Sequence, residues 1–340
     1  MIENECGILD LSGYMFSGKA AVSDFVREFG GISLPNYREE FDLIRIPRGV
    51  GDLMRAFESG SLITISNAIN SYKEVANEIA RPARGWRRLT NFGGNYEYRF
   101  PGFTLLTESF LEAFIEDCWK VRSPYEVNSL SALRVLQSKI SAKLFGEQSW
   151  PEIPFYLGSR KLFYPAARNY FQQLLCNNLE ESVIWKVTHN ALEPHKPSQF
   201  FPLFKRVKAI VVDRDVRDIY MTATTHSLGF NDSIDTYKRI AGAHDVKSFI
   251  LRQKAMRQLG KDHAPDILHL NFEDLIENYD NSKTRILTFL GLARTAHKSP
   301  FLFFNPEISR KNTRLWLQAD VKQREAIRTI EMKLPELCRL

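Results

Sequence analysis

Residues 11–25 read LSGYMFSGKAAVSDF and place a phosphate-binding pattern between a strand and a helix. Gly13, Gly18 and Lys19 have the glycine-x4-glycine-lysine spacing of a loop whose backbone N–H groups hold phosphate. The apolar run before the loop predicts a buried strand. The residues after it have helical spacing and predict a helix: Val22, Phe25, Val26 and Phe29. A strand-loop-helix anion site is therefore the starting hypothesis.

Further strand patterns recur along the chain and predict the fold class. They are FDLIRI (Phe41–Ile46), SVIWKV (Ser182–Val187), VKAIVVD (Val207–Asp213) and DILHLNF (Asp266–Phe272). Helical patterns separate them, which indicates an α/β protein with a central parallel sheet flanked by helices. Ligands of such sheets bind beyond the carboxyl ends of the strands. We expect Gly13, His189, Arg214 and Glu273 at that edge.

Residues 61–180 are predicted to form a mainly helical insertion. Within them, EVNSLSALRVLQSKISAKLF has an apolar stripe at spacings of three and four: Val127, Leu130, Leu133, Leu136, Ile140 and Leu144. Such a stripe usually faces a protein core. Because neither a repeat nor a low-complexity linker interrupts the chain, we expect a single domain over residues 1–340 that carries this insertion.

Composition narrows the function classes and the expected location. The formal net charge of +6 favours anionic ligands without distinguishing a nucleotide from nucleic acid or a membrane surface. The four cysteines are widely separated and match no zinc or disulfide pattern, so we expect no metal and a reducing compartment. The acidic start of the chain argues against a signal peptide, and no apolar run of about 18 residues predicts a membrane span. A cytoplasmic location is expected, and the oligomeric state stays open.

Ala20 separates two interpretations of the loop. A P-loop kinase or NTPase needs a serine or threonine there to coordinate Mg²⁺, although Asp213 at the end of AIVVD would suit such an enzyme. Transfer of a sulfuryl group needs no metal, because its leaving phosphate carries less charge and side chains can neutralise it. The loop alone leaves both interpretations open.

A second cationic segment, VVDRDVRDIYMTATTHS, follows a predicted strand. Arg214, Arg217 and the hydroxyl of Thr222 would form a second phosphate site at the strand's carboxyl end. The alternative is a surface ion-pair patch in which the arginines pair with Asp215 and Asp218. The segment by itself favours neither.

The combination resembles sulfotransferases that use 3′-phosphoadenosine 5′-phosphosulfate (PAPS) as donor. RDVRDIYMT is similar to the family's 3′-phosphate motif, with Val216 replacing proline and Thr222 replacing serine. LNFEDLIENYDNSKTRILTFLGL and NPEISRKNTRLWLQA resemble two further family segments. The resemblance covers under half of the chain. It implies a P-loop NTPase-like sulfotransferase fold, PAPS as cofactor, the product 3′-phosphoadenosine 5′-phosphate (PAP), and no metal.

The resemblance also assigns donor-binding residues. Those implied for the 5′-phosphosulfate are Phe16, Ser17, Gly18, Lys19, Ala20 and Ala21. Those implied for the 3′-phosphate are Arg214, Thr222, Arg310, Lys311 and Asn312, the last in the family's glycine position. Phe16 stands where the family has a lysine, so Lys19 is expected to supply the missing charge. Without that charge, the protein would bind the donor and not transfer the group.

WKVTHNALEP resembles the family's Lys-Thr-His segment and implies the catalytic groups. His189 is the candidate general base, with Lys186 and Lys19 as cationic partners, although Val187 interrupts the match. A structural role for His189 stays open, and the weaker alternatives are His226, Glu108 and Asp24. The expected partner is a hydroxyl-bearing acceptor, first a glycan or glycolipid and second a phenol or small alcohol, and no nucleic acid. A kinase or a non-catalytic nucleotide-binding protein remains the alternative.

Overall fold

The computed structural model describes residues 5–35, 40–82, 94–122, 132–146, 152–177, 179–225, 238–257 and 260–339. The chain forms two compact units. We call the first the sheet unit; it comprises Met1–Asp42, Asn178–Phe201 and Arg206–Leu340. The second, the helical unit, comprises Leu43–Asn177 and Pro202–Lys205.

The elements are numbered in chain order. The strands are β1 (Gly7–Gly13), β2 (Ile32–Ser33), β3 (Ile115–Val121), β4 (Ile153–Gly158), β5 (Trp185–His189), β6 (Val207–Asp213) and β7 (Ile267–Asn271). The α-helices are α1 (Lys19–Arg27), α2 (Val50–Ser59), α3 (Leu62–Ala80), α4 (Tyr96–Arg99), α5 (Phe103–Glu112), α6 (Ala132–Phe145), α7 (Arg160–Cys176), α8 (Val216–Thr225), α9 (Val246–Arg257), α10 (Phe272–Glu277), α11 (Tyr279–Leu290), α12 (Pro306–Ser309) and α13 (Val321–Lys333).

The sheet unit is built on a five-stranded parallel sheet in the order β2-β5-β1-β6-β7. Apolar residues of β1, β5 and β6 pack with α1, α10 and α11 in one core cluster. A second cluster joins α8, α9 and α13. The predicted α/β class, with a central parallel sheet flanked by helices, is confirmed.

Two details of the predicted strands were wrong. Phe41–Ile46 is not a strand: the segment is a turn whose apolar side chains Phe41, Leu43 and Ile44 are buried. The backbone groups of this turn bond elsewhere, since the N–H of Phe41 donates to the carbonyl of His189. The apolar run at residues 41–46 therefore reflects burial of side chains in a turn and not strand pairing. The second strand in the chain is instead β2, whose two residues are too short to give a sequence pattern.

The helical unit contains the predicted helices and an antiparallel pair, β3 and β4, that was not predicted. Its core is aromatic, with Phe57, Phe110, Phe114 and Phe163 in mutual ring contact. Among the described residues, no helix combines the length and hydrophobicity needed to cross a bilayer.

The predicted core stripe on α6 was also wrong. Four of its residues are exposed, at 48–69%: Leu133, Leu136, Ile140 and Leu144. The half-buried side of α6 instead carries the smaller Val135 and Ala142. Val127 and Leu130 lie outside the described residues. Helical periodicity identified the helix but not which side of it packs.

Candidate functional site

The loop of residues 14–18 lies at the carboxyl edge of the sheet, after its central strand. β1 pairs with β5 on one side and with β6 on the other. The connection from β1 leads to β2, which lies beyond β5 on one side of the sheet. The connection from β6 leads to β7 on the opposite side. Ligands of parallel sheets bind where connections diverge in this way. The loop therefore lies at the position where a ligand of this sheet is expected to bind.

Both glycines of the loop motif are required by its backbone. Gly18 has φ of 86°, and a Cβ there would come within 2.4 Å of the Phe272 ring. A Cβ on Gly13 would lie 2.2 Å from the hydroxyl oxygen of Ser17 and 2.9 Å from the carbonyl oxygen of Val212. Phe16 also has a positive φ, 58°. The loop thus folds tightly against the ends of β6 and α10.

The loop leads into the N-terminus of α1 without any side-chain cap. Gly18 is the N-cap residue, and the first turn of α1 contains no acidic side chain. The first N–H groups of a helix have no partner within it and carry partial positive charge. Together with the ammonium of Lys19, the first residue of α1, they form an anion-binding end.

Arg214 connects this loop with two segments that are distant in sequence. Its Nη1 donates to the carbonyl oxygen of Phe16 at 3.0 Å and to the hydroxyl of Thr222 at 3.1 Å. Its Nη2 donates to the carbonyl oxygen of Asn312. We call Phe16, Arg214, Thr222 and Asn312 the arginine corner. The structure therefore joins residues of three sequence motifs at one guanidinium.

The guanidinium of Arg214 is desolvated and not fully bonded. The residue is 5% exposed, and its Nε has no hydrogen-bond partner among the described residues. Burial lowers the pKa of Arg214, an effect opposed by the charges of Asp218, Glu273 and Asp215. Arginine nevertheless stays protonated in proteins. A buried cation with an unused donor matches the chemistry of a phosphate group.

Arg217 behaves differently from Arg214. It donates to Asp215 through Nε at 3.0 Å and Nη2 at 2.7 Å, and to Glu331 through Nη1 at 2.8 Å. Its guanidinium also lies 4.0 Å from the centre of the Trp316 ring. The ion-pair hypothesis for this segment thus describes Arg217. The phosphate-site hypothesis applies to Arg214.

Acidic side chains of this edge organise the backbone around the arginine corner. Asp218 accepts the N–H groups of Arg314 and Leu315 at 2.8 and 2.7 Å and so fixes the segment after Asn312. Glu273, predicted at this edge, accepts the N–H of Asp215 at 2.8 Å. Burial raises the pKa of Glu273 to about 7, although the hydrogen bond from the Asp215 backbone opposes the shift.

Lys19 lies in a second cationic arrangement at the same edge. Its Nζ is 2.9 Å from Oε1 of Glu40, and that oxygen also accepts from Nδ2 of Asn190 at 2.6 Å. We call Lys19, Glu40 and Asn190 the lysine corner. Burial would raise the pKa of Glu40, but the charge and hydrogen bond of Lys19 and the bond from Asn190 bring it below its usual value. Sequence patterns gave no signal for Glu40 or Asn190, since Glu40 is 21 residues from Lys19 and 150 from Asn190 in the sequence.

His189 ends β5 next to Asn190 and is buried. Its ring is 6% exposed, and Nε2 lies 3.0 Å from the hydroxyl of Ser23 on α1. This contact fits the structural role that the sequence left open. His189 is also close enough to Glu40 for its charge to lower the pKa of that carboxyl.

Lys186 is not grouped with these residues. It is three residues before His189, roughly 10 Å along the strand, and strand alternation directs it to the opposite face of the sheet. Its Nζ donates to Ser33 of β2 at 3.4 Å. Val187, which interrupts the resemblance, thus places Lys186 and His189 on opposite faces of β5, and the catalytic role of Lys186 stays a prediction.

The remaining predicted residues are dispersed. Arg310 and Lys311 form a 3-10 turn with Asn312, and Arg310 pairs with Glu307 at 3.1 Å on the exposed surface. Glu108 is exposed on α5 of the helical unit, and Asp24 lies on α1. His226 lies outside the described residues. Among the residues that the structure describes, the arginine corner gathers three of those implied for the 3′-phosphate: Arg214, Thr222 and Asn312.

Several solved structures are similar to this chain. The sulfotransferase domain of the Synechococcus PCC 7002 olefin synthase is 12% identical, with a TM-score of 0.37, over 96% of this chain and 95% of that one. Sulfotransferase STF9 from Mycobacterium avium is 11% identical, with a TM-score of 0.37, over 98% and 76%. Retinol dehydratase in complex with androsterone and the inactive cofactor PAP is 14% identical, with a TM-score of 0.36, over 100% and 84%.

No family model and no curated protein sequence matches the chain. Two of the similar structures are named as sulfotransferases, the family that the sequence motifs resemble. Within the described ranges, no cluster of three or more His, Cys, Asp or Glu side chains could hold a metal ion.

Proposed function

We propose that the protein is a sulfotransferase that moves a sulfuryl group from PAPS to an acceptor hydroxyl. The observation that carries the proposal is the arginine corner. There, one buried guanidinium joins the loop after β1, the hydroxyl of Thr222 and the turn ending at Asn312. A donor with phosphates at both its 5′ and 3′ positions needs two anion sites, and ATP has no 3′-phosphate.

The residues present fit that donor. The N-terminus of α1 and Lys19 would hold the 5′-phosphosulfate, whose bound sulfuryl group is the one transferred. Arg214 and Thr222 would hold the 3′-phosphate, for which the buried, unpartnered Nε of Arg214 is available. Arg310 and Lys311 adjoin Asn312 and would add charge from the exposed side. Phe16, Ser17, Ala20 and Ala21 would contribute backbone groups around the loop.

Two groups are our candidates for accepting the proton of the acceptor hydroxyl. To act as the base, His189 would have to exchange the hydrogen bond between its ring and Ser23 for one with the acceptor hydroxyl. Glu40 is ionised at neutral pH, because its pKa is lowered, and its side chain is 58% exposed. The pH dependence of turnover separates them: with His189 as the base, turnover falls below neutral pH as the imidazole is protonated, and this acid limb is lost in His189→Asn.

The acceptor that we propose to test first is a carbohydrate hydroxyl. Its support is the resemblance of EEFDLIRIP and FNPEISRKNTRLW to bacterial-type sulfotransferases. A phenol and a small alcohol form the second class. Incubation with PAPS labelled in its sulfur and each acceptor class, followed by separation of labelled products, tests both.

A thermal-shift comparison tests the donor. PAP in the presence of EDTA is expected to raise the melting temperature, AMP is expected to raise it much less because it lacks the 3′-phosphate, and Mg-ATP is expected to resemble AMP. Stabilisation by Mg-ATP that EDTA removes would instead establish a kinase or NTPase. Binding of PAP without labelled product from any acceptor class would support a non-catalytic nucleotide-binding protein.

A further inference from the structure

Three consecutive large apolar side chains point away from the sheet unit. Phe301 is 53% exposed, Leu302 67% and Phe303 45%. They belong to a tight turn in which the N–H of Leu302 donates to the carbonyl of Ser299 at 3.2 Å. We call residues 299–303 the apolar turn. Single exposed apolar residues are common on protein surfaces, but a run of three in one turn indicates an interaction site.

The apolar turn is held in this conformation by a buried carboxylate. Glu28, whose side chain is fully buried, accepts the N–H groups of Phe303 and Phe304 through Oε1, each at 2.9 Å. Its Oε2 is 2.7 Å from Nε2 of His297. Phe301 has φ of 64°, a conformation that is costly for a bulky residue. The fold thus fixes these side chains in their outward orientation.

Basic groups border the apolar turn. The guanidinium of Arg27 lies 5.2 Å from the centre of the Phe303 ring, and Lys298 directly precedes the turn. On the other side, the ring of Phe301 stacks on Tyr279 at 5.3 Å, beside Asp280, which pairs with Lys283 at 2.6 Å. Arg27 and Lys298 thus supply positive charge beside the apolar turn, and the whole chain has a formal net charge of +6.

The size of the apolar turn favours a lipid surface over a protein partner. Its three side chains expose on the order of 300 Å², whereas a stable protein-protein interface buries about 800 Å² on each partner. A few aromatic and aliphatic side chains with a basic border are sufficient for reversible binding at the interface of an anionic membrane. We infer that the apolar turn inserts into the headgroup region of membranes that contain anionic lipids.

Vesicle flotation of the full-length chain tests this inference. Wild type is expected to float with vesicles of 70% phosphatidylcholine and 30% phosphatidylserine, to bind pure phosphatidylcholine at least about fivefold less, and to lose binding in about 0.5 M NaCl. Leu302→Ser is expected to lower the partition coefficient several-fold, and Phe301→Ser/Leu302→Ser about tenfold or more. Lys298→Gln is expected to reduce binding to the anionic vesicles alone.

Leu105→Ser is the matched control, because Leu105 is 70% exposed on α5. It is expected to bind like wild type. Circular dichroism and thermal unfolding show whether each variant is folded, and Leu302→Ser alone preserves the Phe301-Tyr279 stack. Absence of wild-type flotation, or equal loss in Leu105→Ser, would overturn the inference. So would a wild-type dimer in light scattering that becomes monomeric in Leu302→Ser, since a second copy would then cover the turn.

Discussion

The arginine corner and the lysine corner lie at the same edge of the sheet but hold their cations differently. Arg214 is 5% exposed and bonds to three segments of the chain. Lys19 has a side chain that is 20% exposed, and its partner Glu40 is 58% exposed. One cation is therefore fixed within the protein, whereas the other is held by an ion pair open to solvent.

This difference suggests a division of work. Removing a partner from a buried, hydrogen-bonded charge is costly, whereas an exposed ion pair contributes at most about 1 kcal/mol and opens easily. A fixed guanidinium suits a phosphate that stays unchanged through a reaction. A lysine that can exchange its partner suits the phosphate at which a bond breaks. The following predictions test whether the two corners differ in this way.

The largest effect is expected for Arg214→Ala. Loss of a charged group that meets the 3′-phosphate should weaken PAP binding about 100-fold, or ~3 kcal/mol. Isothermal titration calorimetry measures this affinity. AMP serves as the matched ligand, because it lacks the 3′-phosphate and its binding should change little. An equal loss for both ligands would mean that Arg214 supports only the loop, through the carbonyl of Phe16.

Glu273 tests whether ionisation of a buried carboxyl next to the arginine corner destabilises the fold. Its pKa is about 4.5 in an unfolded chain and about 7 in the fold, raised by burial. Between these values the unfolded chain ionises first, so stability is lost as the pH rises through 7. The Glu273→Gln variant does not titrate at this position. Its free energy of unfolding should therefore rise relative to wild type by about 3 kcal/mol between pH 4 and pH 8.

Urea unfolding of both proteins at the two pH values measures that change, and contributions from other titrating groups cancel in the difference. The glutamine can still accept the N–H of Asp215 through its oxygen, which keeps the comparison local. A difference that is the same at both pH values would show that Glu273 titrates normally in the fold.

Sequence patterns predicted a strand correctly where an apolar run belongs to a buried strand of the sheet. β6 was predicted with its observed bounds, because the continuous apolar run AIVV (residues 209–212) lies in a strand that has a neighbour on each side in the parallel sheet. The same criterion failed at Phe41–Ile46, where apolar residues are buried in a turn. On α6, periodicity predicted the helix, but it carries no information about which side meets the rest of the chain.

The candidate site shows the same limit at the level of single residues. Arg214 and Thr222 were identified because they share one short motif, and Asn312 because it belongs to another. Glu40 belongs to no motif, and its partner Lys19 is 21 residues away in the sequence. The position of Lys186 followed from strand alternation, which the resemblance to a Lys-Thr-His segment obscured. Contacts made by tertiary folding were therefore predictable only where each partner belonged to a recognisable motif.

The smallest effect is expected for Glu40→Gln, and it tests the lysine corner directly. If Glu40 competes with the donor for Lys19, removing its charge should tighten PAP binding about threefold, with an unfolding free energy within about 1 kcal/mol of wild type. The Lys19→Ala variant provides the control, because Glu40→Gln should have no such effect when added to it. Weaker PAP binding in Glu40→Gln would contradict the exchange of partners. It would show that Glu40 orients Lys19 toward the loop, and the two corners would then both be fixed.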